Sequence, residues 1–331
     1  MNNYFLGVDV GSSKTRALIA DEFGHTLGLG ESGPGNHEVV GYPGLTEALH
    51  AAAGQALASA ALRRDQIIGA GFGISGYDWP SETKPILQAI SALSLQAPIQ
   101  VVNDAIIGLL AGSAQGWGIA LVSGTGCNCW GWDRERQREG RVTGDGIRMG
   151  EAAGASDLVY KAVQAVAYEW TRRGPPTRLS EAFLEKTGYD SLMQLLDALV
   201  TGQISLGASA APLVFQVAAA GDPVASELIK WAGCELGELA KCVIRQLEFE
   251  KLAFDVVLVG SMFDGGSILI EPLRKTILDY APEARLVQLM VPPVTGAVLL
   301  GMEAAGYKPA KGFRKELIKG VKNFQAPPLF S

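Results

Sequence analysis

The chain is poor in cysteine and has no long uncharged apolar run. It has four cysteines among 331 residues, too few for a disulfide framework, so we expect a reducing cytoplasm as its compartment. No apolar stretch without charges is long enough to span a bilayer. Asp9 and Lys14 interrupt the first apolar run, so the start lacks the pattern of a signal peptide. These absences argue against a membrane protein and against a secreted one.

Positive charge is also scarce. The net charge of −6 argues against a general nucleic-acid binder. The stretch Leu6–Ala20 has neither the P-loop pattern, GxxxxGKS or GxxxxGKT, nor the dinucleotide pattern GxGxxG. What the chain does have is 48% hydrophobic residues and 41 glycines. This is enough for a large core, and the length predicts two domains.

The most informative stretch is Leu6–Ala20, which reads LGVDVGSSKTRALIA. Its apolar residues predict a strand, a turn over Gly11–Thr15 and a second strand. The glycine, the hydroxyls and successive backbone N–H groups of such a turn can form an anion-binding concavity. Asp9 would repel a phosphate but could hold a hydrated Mg²⁺ that binds one. The alternative is an ordinary Gly-Ser hairpin with a surface carboxylate.

A second hairpin repeats this pattern. Ile119–Val122 predicts a strand, Ser123–Gly126 a turn, and Cys127–Trp132 the returning strand. Two such hairpins suggest two related domains that face one nucleotide. Cys127 and Cys129 fall on one face of the returning strand, but zinc would need more ligands nearby. We therefore expect these cysteines to pack as small apolar groups.

Polar residues follow two apolar strands. Ile67–Ile74 is an apolar and glycine run typical of a buried strand, and it leads into Ser75–Asp78, a position where binding groups often lie. Ile99–Val102 predicts another strand, which ends on Asn103 and Asp104 before a predicted helix. Asp104 fits either a general base or a helix N-cap, and these roles are compatible.

Three loops carry further candidate residues. Asn36 and His37 follow a Gly-Pro-Gly run and could contact a polar ligand, or could belong to a plain surface loop. Asp145 and Glu151 flank a glycine-rich loop, which could instead be a flexible connector with solvated charges. The glycines of 260–266 would let the backbone approach a flat ring.

Two stretches are predicted to lack regular structure. Residues 133–141 predict a charged turn. The lysine-rich tail beyond Tyr307 is expected to fray, although it could cap a surface.

Six motifs follow one another along nearly the whole chain: GVDVGSSKT, VVNDA, LVSGTGCNC, GDGIRMGE, VVLVGSMFDGGSILIEPLR and PPVTGAVLLG. In this order they resemble the BadF/BadG-type ATPase family and, within it, the N-acetylglucosamine kinases of the actin-like ATPase and sugar kinase superfamily. The resemblance implies an α/β fold with two actin-like (ribonuclease H-like) domains. Each would be a mixed sheet flanked by helices, with the nucleotide in the cleft between them. The N-terminal domain would comprise 1–115 plus 294–331, to which the closing helix returns, and the C-terminal domain 116–293.

The resemblance also implies roles for individual residues. Asp9 would bind Mg²⁺, and Asp104 would be the base that acts on a sugar hydroxyl. ATP would contact the two hairpins and an adenosine pocket through Gly11, Ser12, Ser13, Lys14, Thr15, Gly124, Thr125, Gly126, Gly260 and Ser261. The sugar would contact Asn36, Ser75, Gly76, Asp104, Asn128, Asp145 and Glu151.

One motif departs from the family pattern. Amino-sugar kinases usually carry the run GDEGS where this chain reads GEAAG over residues 150–154. A carboxylate is kept as Glu151, one methylene longer, but the second acid is absent. The departure bears on the identity of the sugar more than on phosphoryl transfer.

Together these features predict a kinase that uses ATP and Mg²⁺ to phosphorylate a hydroxyl of a hexose or amino hexose. N-acetylglucosamine is the first candidate. We expect a small-molecule sugar as partner, no nucleic acid or membrane, and a homodimer. The alternative is a BadF-type ATPase that acts as a nucleotide-driven activator, but those proteins hold an iron–sulfur cluster for which no convincing cysteine pair is present. A third possibility is a sugar-sensing regulator, although almost nothing precedes the first hairpin, where such relatives often add a helix-turn-helix.

Overall fold

The structure is a computed structural model that describes residues 3–146 and 148–325. The strands are β1 Tyr4–Val10, β2 Thr15–Asp21, β3 Thr26–Ser32, β4 Ile67–Ile74, β5 Ile99–Asn103, β6 Gly118–Ser123, β7 Cys127–Trp132, β8 Glu139–Val142, β9 Phe254–Val259 and β10 Ala284–Gln288. The helices are α1 His37–Ser59, α2 Thr83–Ser91, α3 Asp104–Gly112, α4 Ala155–Trp170, α5 Leu179–Thr187, α6 Leu192–Val200, α7 Ala211–Ala219, α8 Pro223–Leu247, α9 Ser267–Leu278, α10 Val294–Ala304 and α11 Phe313–Gln325.

The strands form two mixed five-stranded sheets. The first has the order β3-β2-β1-β4-β5, in which β1 pairs antiparallel with β2 and parallel with β4. The second has the order β10-β9-β6-β7-β8. Counted from its other edge, the second sheet repeats the first with each strand number raised by five. The repeat predicted from the two hairpins, β1–β2 and β6–β7, therefore extends to whole sheets.

The chain divides into two compact units. Within the described residues, one comprises 3–120, 133–136 and 287–325, and the other 121–132 and 137–286. The domain bounds predicted from the sequence, 1–115 plus 294–331 and 116–293, stay a prediction. No helix in the described part of the chain is long and apolar enough to cross a membrane.

Side-chain alternation along β1 positions the first candidate site residue. Leu6, Val8 and Val10 pack in the core that includes α1, whereas Phe5 packs with residues of α10 and α11. Gly7 lies on the second face, where a Cβ atom would come within 2.4 Å of the Val298 backbone nitrogen. Asp9 continues the face of Phe5 and Gly7, because successive side chains of a strand alternate. Its carboxyl group therefore lies on the α10 side of the sheet.

Two stretches predicted as irregular are ordered. Residues 133–141 include the start of β8, which pairs antiparallel with β7 so that Val142 lies opposite Cys129. In the tail, α11 buries Phe313, Leu317 and Val321 against the core of the first sheet. The prediction that the tail frays is therefore wrong for 313–325, and the end of the predicted tail, 326–331, lies outside the described residues.

Candidate functional site

The first group of candidate residues lies where β1 ends and α3 begins. Asp9 pairs in register with Arg16 on β2 and with Gly73 on β4. Asp104 is the first residue of α3. Burial and then repulsion from Asp104 raise the pKa of Asp9 from 3.8 to about 7. The predicted Mg²⁺ ligand and the predicted base are thus close enough to interact.

The helix cap at this position is Asn103 and not Asp104. The side-chain oxygen of Asn103 accepts a hydrogen bond from the backbone nitrogen of Ala105 at 2.9 Å. The sequence left the cap and base roles of Asp104 open, and the structure gives the cap to its neighbour. The Asp104 carboxylate therefore stands in the first turn of α3, where the helix dipole favours a negative charge.

The turn of the first hairpin is closed by a hydrogen bond from the Gly11 nitrogen to the Lys14 oxygen at 3.0 Å. Ser13 and Lys14 are exposed and can reach a ligand. Thr15 is fully buried, and its hydroxyl has no hydrogen-bond partner among the described residues. A Cβ atom on Gly35 would lie 2.5 Å from that hydroxyl. A phosphate contact by Thr15, which stays a prediction, would require Thr15 to rotate or the loop at Gly35 to shift.

Asn36 collects several candidate sugar-binding groups around its amide. The amide nitrogen donates to the Ser12 hydroxyl at 3.1 Å and to the Glu38 carboxylate at 3.2 Å, and it lies 3.5 Å from the Ser75 hydroxyl. The amide oxygen caps α1 by accepting from the Glu38 nitrogen. A Cβ atom on Gly76 would lie 2.6 Å from that oxygen. Asn36, Ser75 and Gly76 are thus brought together as predicted, whereas sequence reasoning missed Glu38.

Sequence reasoning also missed a buried polar network behind these residues. The Asn103 amide nitrogen donates to the Asp78 carboxylate at 2.9 Å. Glu82 accepts from the backbone nitrogens of Asp78 and Trp79, and its other carboxylate oxygen lies 3.5 Å from the His37 ring. The only signal in the sequence was the position of Asp78 in the loop that follows β4.

In the second unit, the turn between β6 and β7 is held by the start of α4. The Gly124 nitrogen donates to the Gly126 oxygen at 2.9 Å. The backbone nitrogens of Ala155 and Ser156 donate to the oxygens of Gly124 and Thr125. The turn predicted to bind phosphate is therefore held in place by backbone hydrogen bonds, and its residues Thr125 and Gly126 are exposed.

A cavity of about 490 Å³ adjoins this turn, a volume within the usual range for small-molecule sites. Its lining is mainly apolar and comprises Gly124, Thr125, Ala155, Ala208, Ser209, Ala211, Pro212, Phe215, Ser261, Met262, Asp264 and Gly265. The lining includes Ser261, which the resemblance assigns to an adenosine pocket, and Gly124 and Thr125 of the turn that it assigns to phosphate. Both roles stay predictions. The residues that α7 contributes were not predicted, because apolar helix residues resemble core residues in a sequence.

Glu151 closes the glycine-rich loop on itself. One of its carboxylate oxygens accepts hydrogen bonds from the Thr143 hydroxyl at 3.1 Å, the Gly144 nitrogen at 2.6 Å and the Asp145 nitrogen at 3.1 Å. Asp145 itself is exposed, and Asn128 is buried on β7. Sugar contacts by Asp145, Glu151 and Asn128 stay predictions, and the structure shows that Glu151 also orders its own loop.

The cysteines of β7 are packed as expected from the sequence. The Cys127 sulfur accepts from the Ala153 nitrogen and donates to the Glu151 oxygen. Burial raises the pKa of the Cys127 thiol to about 12 and that of Cys129 well above its usual value. Both thiols are therefore protonated at neutral pH.

Comparison with known families agrees with the motif order. The model of the BadF/BadG/BcrA/BcrD ATPase family matches residues 6–301. The chain belongs to this family. The resemblance seen in the sequence is thereby confirmed, and α11 lies beyond the matched residues.

Curated relatives of this BadF-family chain include two named kinases. It is 26% identical over 314 residues to N-acetyl-D-glucosamine kinase of Dictyostelium discoideum, which covers 91% of this chain and 98% of the relative. It is 25% identical over 299 residues to N-acetylmuramic acid/N-acetylglucosamine kinase of Clostridium acetobutylicum, which covers 90% and 97%.

Solved structures confirm the fold of this BadF-family protein. The structure assigned as an N-acetylglucosamine kinase of Chromobacterium violaceum has a TM-score of 0.64 at 23% identity, and covers 90% of this chain and 98% of that chain. A ROK family glucokinase of Streptomyces griseus has a TM-score of 0.56 at 20% identity, with 92% and 100% covered. The predicted α/β fold of two mixed sheets flanked by helices is therefore correct.

Proposed function

We propose that this protein is an ATP-dependent sugar kinase that transfers the γ-phosphoryl group to a hydroxyl of a hexose or amino hexose. The observation that carries the proposal is the position of Asp104 at the start of α3, beside Asp9. It lies in the same unit as the Asn36 cluster, which comprises Asn36 with Ser12, Glu38 and Ser75. The names of the two curated relatives make N-acetylglucosamine the first sugar to test.

Asp104 has the chemistry of a base for phosphoryl transfer. Its place in the first turn of α3 favours the ionised form. An ionised aspartate orients a sugar hydroxyl and accepts its proton late, as the hydroxyl oxygen bonds to the phosphoryl group. The Asn36 amide and the hydroxyls of Ser12 and Ser75 offer a sugar the mixed donors and acceptors that its hydroxyls need.

Asp9 fits the role of a Mg²⁺ ligand. Its carboxyl group is partly buried and close enough to Asp104 to be repelled by it. Desolvation, followed by this repulsion, raises the pKa of Asp9, and a divalent cation would stabilise its ionised form. The described residues contain no cluster of three or more His, Cys, Asp or Glu side chains suited to a metal. An ion held by Asp9 would accordingly take most of its ligands from phosphate and water, as Mg²⁺ commonly does. When bound, Mg²⁺ neutralises charge on the phosphates.

The second unit supports the nucleotide part of the proposal. The exposed turn at Thr125 and Gly126 offers backbone N–H groups and a hydroxyl to phosphate. The adjoining apolar cavity suits a purine ring. The alternative function as an activator of a partner enzyme is not favoured, since both curated relatives are named as kinases. A cytoplasmic location and a homodimer stay predictions from the sequence.

A panel of sugars assayed for ADP release and for sugar phosphate tests the proposal. We expect ATP consumption that depends on the sugar and on Mg²⁺, with N-acetylglucosamine among the substrates. Asp9→Asn should weaken turnover at ordinary Mg²⁺ levels while the fold stays intact. ATP hydrolysis that no sugar stimulates would favour the activator function instead.

A further inference from the structure

We propose that Asp78 is a positioning residue that fixes the base Asp104 by holding the side chain of Asn103. The inference rests on the proposed function, because it needs Asp104 to act on the substrate. Asp78 lies in the loop after β4, while Asn103 and Asp104 join β5 to α3. The carboxylate and the base are therefore brought together by the fold and not by the local sequence.

The Asn103 side chain uses both ends of its amide. Its oxygen accepts from the Ala105 nitrogen at 2.9 Å and so caps α3. Its nitrogen donates to the Asp78 carboxylate at 2.9 Å and to the Tyr77 backbone oxygen at 3.3 Å. The side chain is almost fully buried, at 2% exposure. Because the two ends have different partners, Asp78 allows only one orientation of the amide that keeps the cap.

Asp78 is itself held by a second set of contacts. It is buried, at 8% exposure, and its backbone nitrogen donates to the Glu82 carboxylate at 2.8 Å. Glu82 faces His37 in the first turn of α1, and the His37 ring stacks on Tyr42 at 4.7 Å between centroids. The network therefore runs from the start of α1, beside the Asn36 cluster, to the start of α3.

A buried carboxylate is more than a simple cap requires. The helix cap needs only the side-chain oxygen of Asn103. A neutral acceptor at position 78 could also accept the hydrogen bond from the Asn103 amide nitrogen. A carboxylate accepts a charge-assisted hydrogen bond, which is stronger than a neutral one, although burying the charge is costly. We infer that the charge keeps Asn103 and the first residue of α3 in one place. A misplacement of a reacting group by about 1 Å can lower a rate about 100-fold.

Three variants test the contact: Asp78→Asn, Asn103→Asp and the double variant that exchanges the two residues. Asp78→Asn removes the charge, and Asn103→Asp keeps an acceptor for the cap but sets two carboxylates against each other. We expect each single variant to lower kcat by roughly 10- to 100-fold with the KM for sugar and for ATP within about twofold. The exchanged pair restores one amide and one carboxylate, and should recover most of the lost kcat. Asp65→Asn is the control, because it removes an exposed carboxylate paired with Arg63 in the same unit.

The outcomes separate this inference from the proposed function. Single variants that keep the kcat of the wild type, or an exchanged pair no better than either single variant, would overturn the positioning role. The positioning role would also be overturned if the single variants melt at a lower temperature and regain the kcat of the wild type on cooling. Their lower kcat would then come from partial unfolding. Absence of sugar phosphorylation by the wild type would contradict the proposed function and remove this inference with it. If Asp78→Asn does not fold, Asn103→Asp and the exchanged pair still decide the matter.

Discussion

Asp9 and Asp104 carry like charges at the ends of adjacent elements, and burial together with this repulsion raises the pKa of Asp9 to about 7. A raised pKa means that the folded chain favours the protonated form of Asp9. The stability that this group contributes is therefore complete below about pH 4. It is lost as the pH rises toward 7, by up to about 1.4 kcal/mol per pH unit.

The first prediction concerns the pH dependence of unfolding without metal. Asp9→Asn should be more stable relative to the wild type at pH 8 than at pH 5, because only the wild type must bury a charge at pH 8. Urea unfolding at both pH values measures the difference. Added Mg²⁺ should reduce the difference in unfolding free energy between Asp9→Asn and the wild type at pH 8. A difference that does not change with pH would contradict the raised pKa.

The second prediction concerns the close approach of Gly260 to the turn between β6 and β7, which we propose binds phosphate. A Cβ atom there would lie 2.2 Å from the Ser123 backbone oxygen, and φ is +116°. Gly260→Ala should lower stability by roughly 1–3 kcal/mol and raise the KM for ATP. Gly266→Ala is the matched control, since φ is +78° but no atom lies within 4 Å of the added carbon. Equal effects on the KM for ATP in the two variants would remove the special role of Gly260.

The third prediction concerns the loop that Glu151 closes. Glu151→Ala removes the acceptor of three hydrogen bonds and should free the loop, so that trypsin cleaves faster after Arg148. The KM for sugar should rise, because the loop loses its fixed conformation. Glu185→Ala, which removes an exposed carboxylate on α5, should change neither quantity. Unchanged cleavage in Glu151→Ala would show that other contacts hold the loop.

The fourth prediction concerns the helix beyond the family match. Arg314 on α11 donates to the Leu110 backbone oxygen at 2.6 Å, near the end of α3. Arg314→Met should lower the free energy of unfolding by about 1–3 kcal/mol, because a largely buried acceptor loses its charged partner. Arg314→Lys should lose less, and Lys315→Met, at an exposed neighbour, should be near neutral. Urea midpoints equal for Arg314→Met and Lys315→Met would show that α11 is held by its apolar residues alone.

The sequence predicts strands well where burial decides them. Ile67–Ile74 and Cys127–Trp132 have the predicted limits, because an apolar run or a strict alternation leaves few other structures. The strand Glu139–Val142 was missed, since its charges resemble a turn and its order comes from pairing with β7. Phe313, Leu317 and Val321 show a helical spacing, but lysines around them hid the buried face.

In the candidate site, too, some features could be predicted from the sequence and others depend on contacts between distant elements. Asp9, Asn36 and Asp104 stand out because strand ends and turns are visible in a sequence. The contact between Asp78 and Asn103 is not visible in the sequence, because the two residues are 25 positions apart along the chain. The pairing of β4 with β5 brings them together. The pKa of Asp9 likewise depends on a neighbour from another element.

The most direct test of the proposed kinase is phosphorylation of N-acetylglucosamine by the wild type and by Asp104→Asn, followed as sugar phosphate by ³¹P NMR. We predict that the wild type forms the sugar phosphate from ATP and Mg²⁺. Asp104→Asn should melt near the wild type, because Asn103 supplies the helix cap, and should bind both substrates with a rate about 10²–10⁴-fold lower. Full activity in Asp104→Asn would contradict its role as the base, with Glu151 the next candidate. Absence of sugar phosphate from the wild type across the whole sugar panel would contradict the kinase itself.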